Sequence, residues 1–150
     1  MASLLQIATA FGQKKIVIQR FISPDKFGDK RLLVLDEKIL GAFVRYPSRH
    51  DFRANLSAGG SMHDASVTRR DRELVNRLIP KLKAYGLWYV GIDLIGRYLT
   101  EINVTSPAGI PEINHFNKTH PQRAVVDFLE YETVSRSRLR GFMGTAAIKI

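Results

Sequence analysis

The sequence contains no cysteine, which excludes disulfide bonds, thiolate zinc sites and cysteine nucleophiles. A reducing compartment fits this absence, and we expect a cytoplasmic protein. Long apolar runs are also missing: none approaches the roughly 20 residues that a membrane-spanning helix needs, so no membrane association is expected. With 150 residues, 45% of them hydrophobic, the chain can bury one modest core. We therefore expect a single domain over residues 1–150.

Acidic residues are the scarcer charge: 14 Asp and Glu stand against 23 Lys and Arg, a formal net charge of +9. Such an excess attracts nucleotides and other polyanions. The arginines concentrate at residues 69–72 and in a basic tail at 136–150. We interpret both as solvated surface and expect no nucleic-acid binding, because no aromatic residues interleave with these arginines. The four histidines lack the spacing of metal ligands, and we assign them to the surface.

Apolar periodicity predicts helices and strands in an irregular order. At least two strand pairs look antiparallel and no regular βαβ alternation occurs, so the predicted fold class is α+β. Residues 47–66 lose all periodicity, which is typical of a functional lid or a disordered insert. The predicted elements are a helix over 2–12, a strand over 16–22, a hairpin of 31–36 with 39–46, a helix from the cap Thr68 to Gly86 with a kink at Pro80, a hairpin of 87–95 with 99–104, and a last helix from Pro121 through Val134.

Asp93 is the most informative residue, because it interrupts an otherwise apolar strand. Its burial is costly unless a positive group neutralises it. If 96–98 is a three-residue hairpin loop, Asp93 pairs with Glu101 and Asn103 points to the same face. Two carboxylates and an amide suit a hard cation such as Mg²⁺.

This interpretation depends on the strand register. A two-residue loop would shift the pairing by one and separate the two carboxylates. An acidic hairpin face in solvent, or Asp93 paired with an arginine of the core, are the alternatives to a metal site.

Two neighbouring segments carry a family resemblance. Gly91-Ile-Asp-Leu-Ile-Gly96 followed by Leu99-Thr-Glu-Ile-Asn-Val-Thr-Ser-Pro107 resembles the signature of prokaryotic glutathione synthetases, which belong to the ATP-grasp superfamily. The resemblance extends through 28–31, 52–60 and 82–86, and spans about 16–130. It implies the carboxyl-terminal half of an ATP-grasp domain, a mostly antiparallel sheet flanked by helices, with 47–66 as the lid.

The resemblance also implies the site residues. Asp93, Glu101 and Asn103 match the family's magnesium ligands, with Mn²⁺ as an alternative ion. Arg31 and Arg45 match arginines near the transferred phosphate, and arginine suits this task because its rigid fork binds phosphate oxygens in pairs. The remaining matches are Arg53 in the lid as a catalytic residue, Gln19, Arg20, Phe21 and Ile22 at adenine, Asp29 near the nucleotide, and Asn55, Thr105, Ser106 and Gly109 at the peptide substrate.

The implied reaction joins γ-glutamylcysteine and glycine with ATP through an acyl-phosphate. The family has a substrate domain and a lysine-bearing nucleotide subdomain ahead of the matched segment, and Lys14 and Lys15 do not fall at matching positions. We therefore expect the chain to be inactive alone unless a separately encoded amino-terminal half completes it, and we also expect a homo-oligomer. The lid also has Ala54 where the family has a glycine that tolerates positive φ. The alternative is a non-catalytic remnant that binds nucleotides, polyanions or another protein.

Overall fold

A computed structural model describes residues 3–48 and 60–146 of the chain, with side chains up to residue 135. The five strands of this part form one antiparallel sheet in the order β3-β2-β1-β4-β5. The predicted α+β class, with a mostly antiparallel sheet and flanking helices, is confirmed. In chain order the elements are α1 Leu4–Ala8, β1 Asp29–Leu35, β2 Lys38–Tyr46, β3 Ser61–Asp64, α2 Arg69–Ala84, β4 Tyr89–Ile95, β5 Tyr98–Asn103, α3 Ile110–Asn117 and α4 Pro121–Ala146.

One face of the sheet packs against α2 and carries the main apolar core. Alternate side chains of the central strands point to this face, because side chains alternate along a strand. Leu32 and Ile92 are fully buried there, and α2 contributes Val75 and Leu82. No helix in the described part of the chain has the length and apolar character that crossing a membrane requires.

The start of α2 is fixed to the sheet by polar contacts. The Asp71 amide donates to the Thr68 hydroxyl at 3.2 Å, and the Thr68 amide donates to the Asp71 carboxylate at 2.8 Å. Lys30 of β1 donates to the same carboxylate at 2.5 Å. The predicted cap is confirmed. The helix runs without interruption past Pro80, and Gly86 follows its end with a φ of +67°.

The opposite face of the sheet is divided into an apolar and a polar part. Helix α3 covers the apolar part, where Ile113 packs with Leu33 and Phe43. This close approach needs Gly41, since a Cβ there would lie 2.5 Å from Ile113 Cγ2. The polar part lies beside α3 and contains a cluster of charged side chains.

The strand predicted over 16–22 is not formed. The segment is extended but belongs to no strand of the described sheet, and Val17 is 84% exposed. Its β-branched residues favour a strand only when a neighbouring strand offers a surface to pack on. The helix predicted over 2–12 is also shorter, because Ala10 and Phe11 adopt positive φ after α1.

Two elements were missed by sequence reasoning. Helix α3 lies where a turn-rich loop and the next stretch gave no periodic signal, although Pro111 favours a helix start. Strand β3 lies inside the predicted lid range, and its four residues show no apolar alternation. In addition, α4 continues beyond Val134 to Ala146, so the predicted basic tail is helical over 136–146.

Candidate active site

The polar part of the sheet face brings six predicted site residues together through strand pairing. Arg31 lies opposite Asp93 and Asp29 lies opposite Arg45. Residues directly opposite each other share a face, and this is what gathers side chains distant in sequence. We call the group the Asp93 cluster; its members are Asp29, Arg31, Arg45, Asp93, Glu101 and Asn103.

The carboxylate of Asp93 is surrounded by nitrogen donors. Arg31 donates through Nε to Oδ1 at 2.7 Å and through Nη2 to Oδ2 at 2.6 Å. Asn103 Nδ2 donates to Oδ2 at 3.1 Å, and Arg45 Nη2 lies 3.1 Å from the same oxygen. The side chain of Asp93 is only 4% exposed. Asp93 is therefore paired with an arginine of the core, which was one alternative to a metal site. Asn103 and Glu101, the other two predicted metal ligands, also lie beside it.

The two aspartates of the cluster have pKa values displaced in opposite directions. Burial alone would raise the pKa of Asp93, but the hydrogen bonds and charges of Arg31 and Arg45 outweigh it and hold this pKa below its usual value. Burial raises the pKa of Asp29, and the ion pair with Arg45, at 2.5 Å, does not offset this. The hydrogen bonds from Arg31 to Asp93 in turn raise the pKa of Arg31. Asp93 is thus held firmly as a carboxylate.

The β4–β5 turn differs from the prediction, yet the predicted carboxylate pair is formed. Ile95 pairs with Tyr98, so the loop has two residues rather than three. An irregularity leaves Thr100 as an extra residue of β5, and Asp93 again faces Glu101. The Thr100 hydroxyl donates to the Asp93 carbonyl oxygen at 3.0 Å. Sequence reasoning missed Thr100, because a bulge leaves no clear signal in one sequence.

The loop between β5 and α3 lies against Arg31. Its Ala108 carbonyl accepts from Arg31 Nη1 at 3.4 Å, and Gly109 is buried with a φ of +144°. A Cβ at Gly109 would lie 3.1 Å from Phe43. Thr105 and Ser106 are exposed on this loop. The substrate-binding role of Thr105, Ser106 and Gly109 stays a prediction, but their loop borders the cluster.

The predicted adenine residues lie on the exposed extended segment. Gln19, Arg20 and Phe21 are exposed, whereas Ile22 is partly buried and lines a cleft of about 440 Å³ with Phe27 and the β4–β5 turn. Their role at adenine stays a prediction. The lid residues Arg53 and Asn55 lie outside the described residues.

The Asp93 cluster fits a magnesium ion by the chemistry of its donors. No group of three or more His, Cys, Asp or Glu that could hold a metal occurs in the described residues. The cluster instead offers Asp93, the exposed Glu101 and the amide oxygen of Asn103, which the bond to Asp93 leaves unused. Mg²⁺ typically binds one or two carboxylates and completes its shell with water and phosphate. The ion would neutralise nucleotide phosphate charge there.

Comparison with known proteins agrees with this fold. The sequence model of the prokaryotic glutathione synthetase ATP-grasp domain matches residues 1–118. A domain of the ATP-grasp class is thus defined. The chain belongs to the prokaryotic glutathione synthetase ATP-grasp family, and the resemblance stated from the sequence is confirmed.

Three relatives show how much of a whole protein this chain spans. A glutathione synthetase of Synechocystis sp. is 44% identical over 128 residues, which are 85% of this chain and 40% of that protein. One from Gloeobacter violaceus is 40% identical over 91% of this chain and 42% of that protein. One from Coxiella burnetii is 44% identical over 73% of this chain and 35% of that protein. The chain therefore spans about two fifths of the length of these relatives.

Proposed function

We propose that this chain supplies the metal- and phosphate-binding part of a glutathione synthetase. The proposed reaction is the ATP-dependent joining of γ-glutamylcysteine and glycine through an acyl-phosphate. The observation that carries the proposal is the Asp93 cluster, in which Asp93, Glu101 and Asn103 share one sheet face with two buried arginines. We further propose a cytoplasmic protein.

Each member of the cluster has a task in this proposal. Mg²⁺ would be held by Asp93, Glu101 and Asn103. It would supply positive charge that stabilises the negative charge of the transferred phosphate. Arg31 and Arg45 would donate to phosphate oxygens through the N–H groups that their carboxylate contacts leave unused, since each guanidinium carries five N–H donors. Their burial strengthens this attraction, because charges interact more strongly away from water.

The whole reaction needs more than the cluster. Phosphoryl transfer depends on positioning and on electrostatic stabilisation from all sides of the phosphates. The relatives contain more than half of their length outside the matched region. We propose that the chain alone binds the magnesium nucleotide weakly, and that an amino-terminal part like that of the relatives, or a further copy of the chain, completes the site.

Metal-nucleotide binding by the purified chain tests the role of the cluster. Calorimetry with Mn²⁺ and ADP should detect binding, and Glu101→Gln should weaken it by at least about tenfold, because a charged ligand is lost. Glu101 is exposed, so the fold should tolerate the change. Glu130→Gln on α4 removes an equal charge from an exposed position outside the cluster and should leave the affinity unchanged. Absence of binding by the unaltered chain would reject the proposal.

Complementation tests the proposed reaction. The chain is co-expressed with the amino-terminal part of the Synechocystis relative, and the purified pair is assayed for glutathione formation from γ-glutamylcysteine, glycine and ATP. We expect activity that Glu101→Gln reduces. A soluble complex that stays inactive would argue against ligation by this chain.

A second candidate function is the binding of polyanions without catalysis. A cleft of about 570 Å³ between α2 and the β4–β5 turn is lined by Arg70, Arg77 and Arg97. No carboxylate pairs with these three arginines in the described residues, while Glu73 in the same cleft pairs with Arg69. This candidate predicts salt-sensitive binding of tripolyphosphate that Arg77→Gln weakens, and no binding of Mn²⁺ with ADP. Arg123→Gln, an exposed change on α4, is its control.

A further inference from the structure

The carboxylate oxygen of Asp93 that contacts Asn103, Oδ2, is crowded by nitrogen donors. Arg31 occupies Oδ1, and three nitrogens from Arg31, Arg45 and Asn103 surround Oδ2. Since an oxygen has two lone pairs, a metal ion shared by Asn103 and Asp93 Oδ2 must displace at least one of these three nitrogens. The question of which donor leaves rests on the proposed function, since it assumes that Asp93 is a metal ligand.

Asn103 must stay, because it is itself a proposed metal ligand, and of the two arginines Arg31 is the less suitable to leave. It holds Asp93 through two bonds of 2.6 and 2.7 Å, and its Nη1 donates to the carbonyl of Ala108. All of these contacts would be lost or strained if the guanidinium moved. Arg45, by contrast, contacts Asp93 through one nitrogen at 3.1 Å and has a shorter contact, 2.5 Å, with Asp29.

Two unsatisfied atoms belong to the Arg45–Asp29 pair itself. Arg45 Nε and Asp29 Oδ1 are both buried and have no hydrogen-bond partner among the described residues. A buried donor and a buried acceptor that are left unpaired destabilise the state in which they occur. They lie on the two partners of one ion pair, so a small movement of Arg45 could satisfy both in a two-bond fork.

We propose that Asp29 is a positioning residue that receives Arg45 when a divalent cation binds to Asp93. Arg45 exchanges its Nη2 contact with Asp93 Oδ2 for a second bond to Asp29, from Nε to Oδ1. Asp93 Oδ2 then has one nitrogen neighbour fewer and can turn a lone pair to the cation, and Arg45 stays paired and close to the incoming phosphate. The two unsatisfied atoms, Arg45 Nε and Asp29 Oδ1, then form the second hydrogen bond of the pair in the metal-bound state.

A double-mutant cycle on metal affinity tests this exchange. Asp29→Asn should weaken Mn²⁺ binding by about tenfold, because the amide no longer attracts Arg45 away from Asp93. In an Arg45→Gln background the same change should have little effect, since the residue through which Asp29 acts is gone. Asp127→Asn, an exposed change on α4, should not alter the affinity in either background. An equal loss in both backgrounds would mean that Asp29 acts by its charge alone, and would overturn the inference.

A spectroscopic readout keeps the test decisive if Asp29→Asn unfolds the chain. The Nε–H signal of Arg45 in a nitrogen-15 spectrum should shift, and its hydrogen exchange should slow, as Mg²⁺ is added to the unaltered protein. If Mg²⁺ binds and this signal does not change, Arg45 has not moved and the inference fails while the proposed function stands. If neither Mg²⁺ nor Mn²⁺ binds, both fail.

Discussion

Neighbouring residues of β1 each hold a buried carboxylate, on opposite faces of the sheet. Lys30 pairs with Asp71 in the first turn of α2, and Arg31 pairs with Asp93 on the polar face. A buried charge without a partner is strongly destabilising, so each pair depends on both of its members. One pair fixes a helix to the sheet, and the other maintains the carboxylate of the proposed site.

Removing the Asp71 charge should destabilise the fold in a pH-dependent manner. Burial opposes ionisation of Asp71, but the bonds from Lys30 and Thr68 outweigh it and hold its pKa below the usual 3.8. Its stabilisation is therefore present above pH 3.8 and is lost as the pH falls through the lower folded-state pKa. Asp71→Asn should lower the free energy of unfolding by about 1–3 kcal/mol at pH 7, from the lost cap and ion pair.

Urea unfolding at pH 7 and near pH 3 measures this difference. The difference in free energy of unfolding between Asp71→Asn and the unaltered chain should be smaller at the lower pH. Asp127→Asn, exposed on α4, should behave like the unaltered chain at both. A gap that is independent of pH would show that Asp71 stabilises the helix by its shape rather than its charge.

At the scale of elements, the β4–β5 hairpin depends on the bulge at Thr100. A regular ladder after the two-residue loop would place Thr100 opposite Asp93 and turn Glu101 to the other face. Thr100→Val removes the hydroxyl that bonds the Asp93 carbonyl, so we expect a loss of about 1 kcal/mol in stability and weaker Mn²⁺ binding. Thr100→Ser keeps the hydroxyl and should retain both properties. Equal behaviour of the two variants in thermal unfolding and calorimetry would contradict this role.

The packing of helix α3 on the sheet should depend on the absence of a side chain at Gly41. Gly41→Ala would place a methyl group 2.5 Å from Ile113 Cγ2, and overpacking of this kind costs typically 1–3 kcal/mol. Ile113→Ala leaves a cavity that the new methyl partly fills, so the double variant should lose less than the sum of the two single changes. Additive losses in urea unfolding would show that the two residues do not share this space.

The elements that could be predicted are those whose signals are local. The β1–β2 hairpin and α2 have apolar periodicity, and Thr68 and Gly86 mark the ends of α2. Helix α3 and strand β3 depend on packing against β2, which no short window of sequence contains. The pairing of Asp93 with Glu101 was predicted, but through a loop of the wrong length, since the bulge at Thr100 compensates for the shorter turn. The pairing of Asp93 with an arginine was predicted only as an alternative to a metal site.

At the scale of the whole molecule, apolar side chains remain exposed at the first part of the chain and on α4. Large exposed apolar surfaces mark interaction sites. The relatives extend well beyond the matched region, so we propose that further parts of a protein of this family cover these surfaces. The exposed residues include Leu4, Leu5, Ile7, Phe11, Val17, Ile18 and Phe21 near the start, and Val126, Leu129, Tyr131 and Val134 on α4.

Hydrogen exchange should show that residues 16–20 acquire a strand partner only in a complex. In the chain alone their amides should exchange at rates close to those of an unfolded peptide, because the segment pairs with no described strand. Amides of β1, which pairs on both sides, should be strongly protected and serve as the internal reference. Adding the amino-terminal part of the Synechocystis relative should protect 16–20 and leave β1 unchanged. Protection of 16–20 in the chain alone would mean that the partner is already supplied by this chain, and unchanged exchange in a stable complex would mean that the segment is not the contact strand.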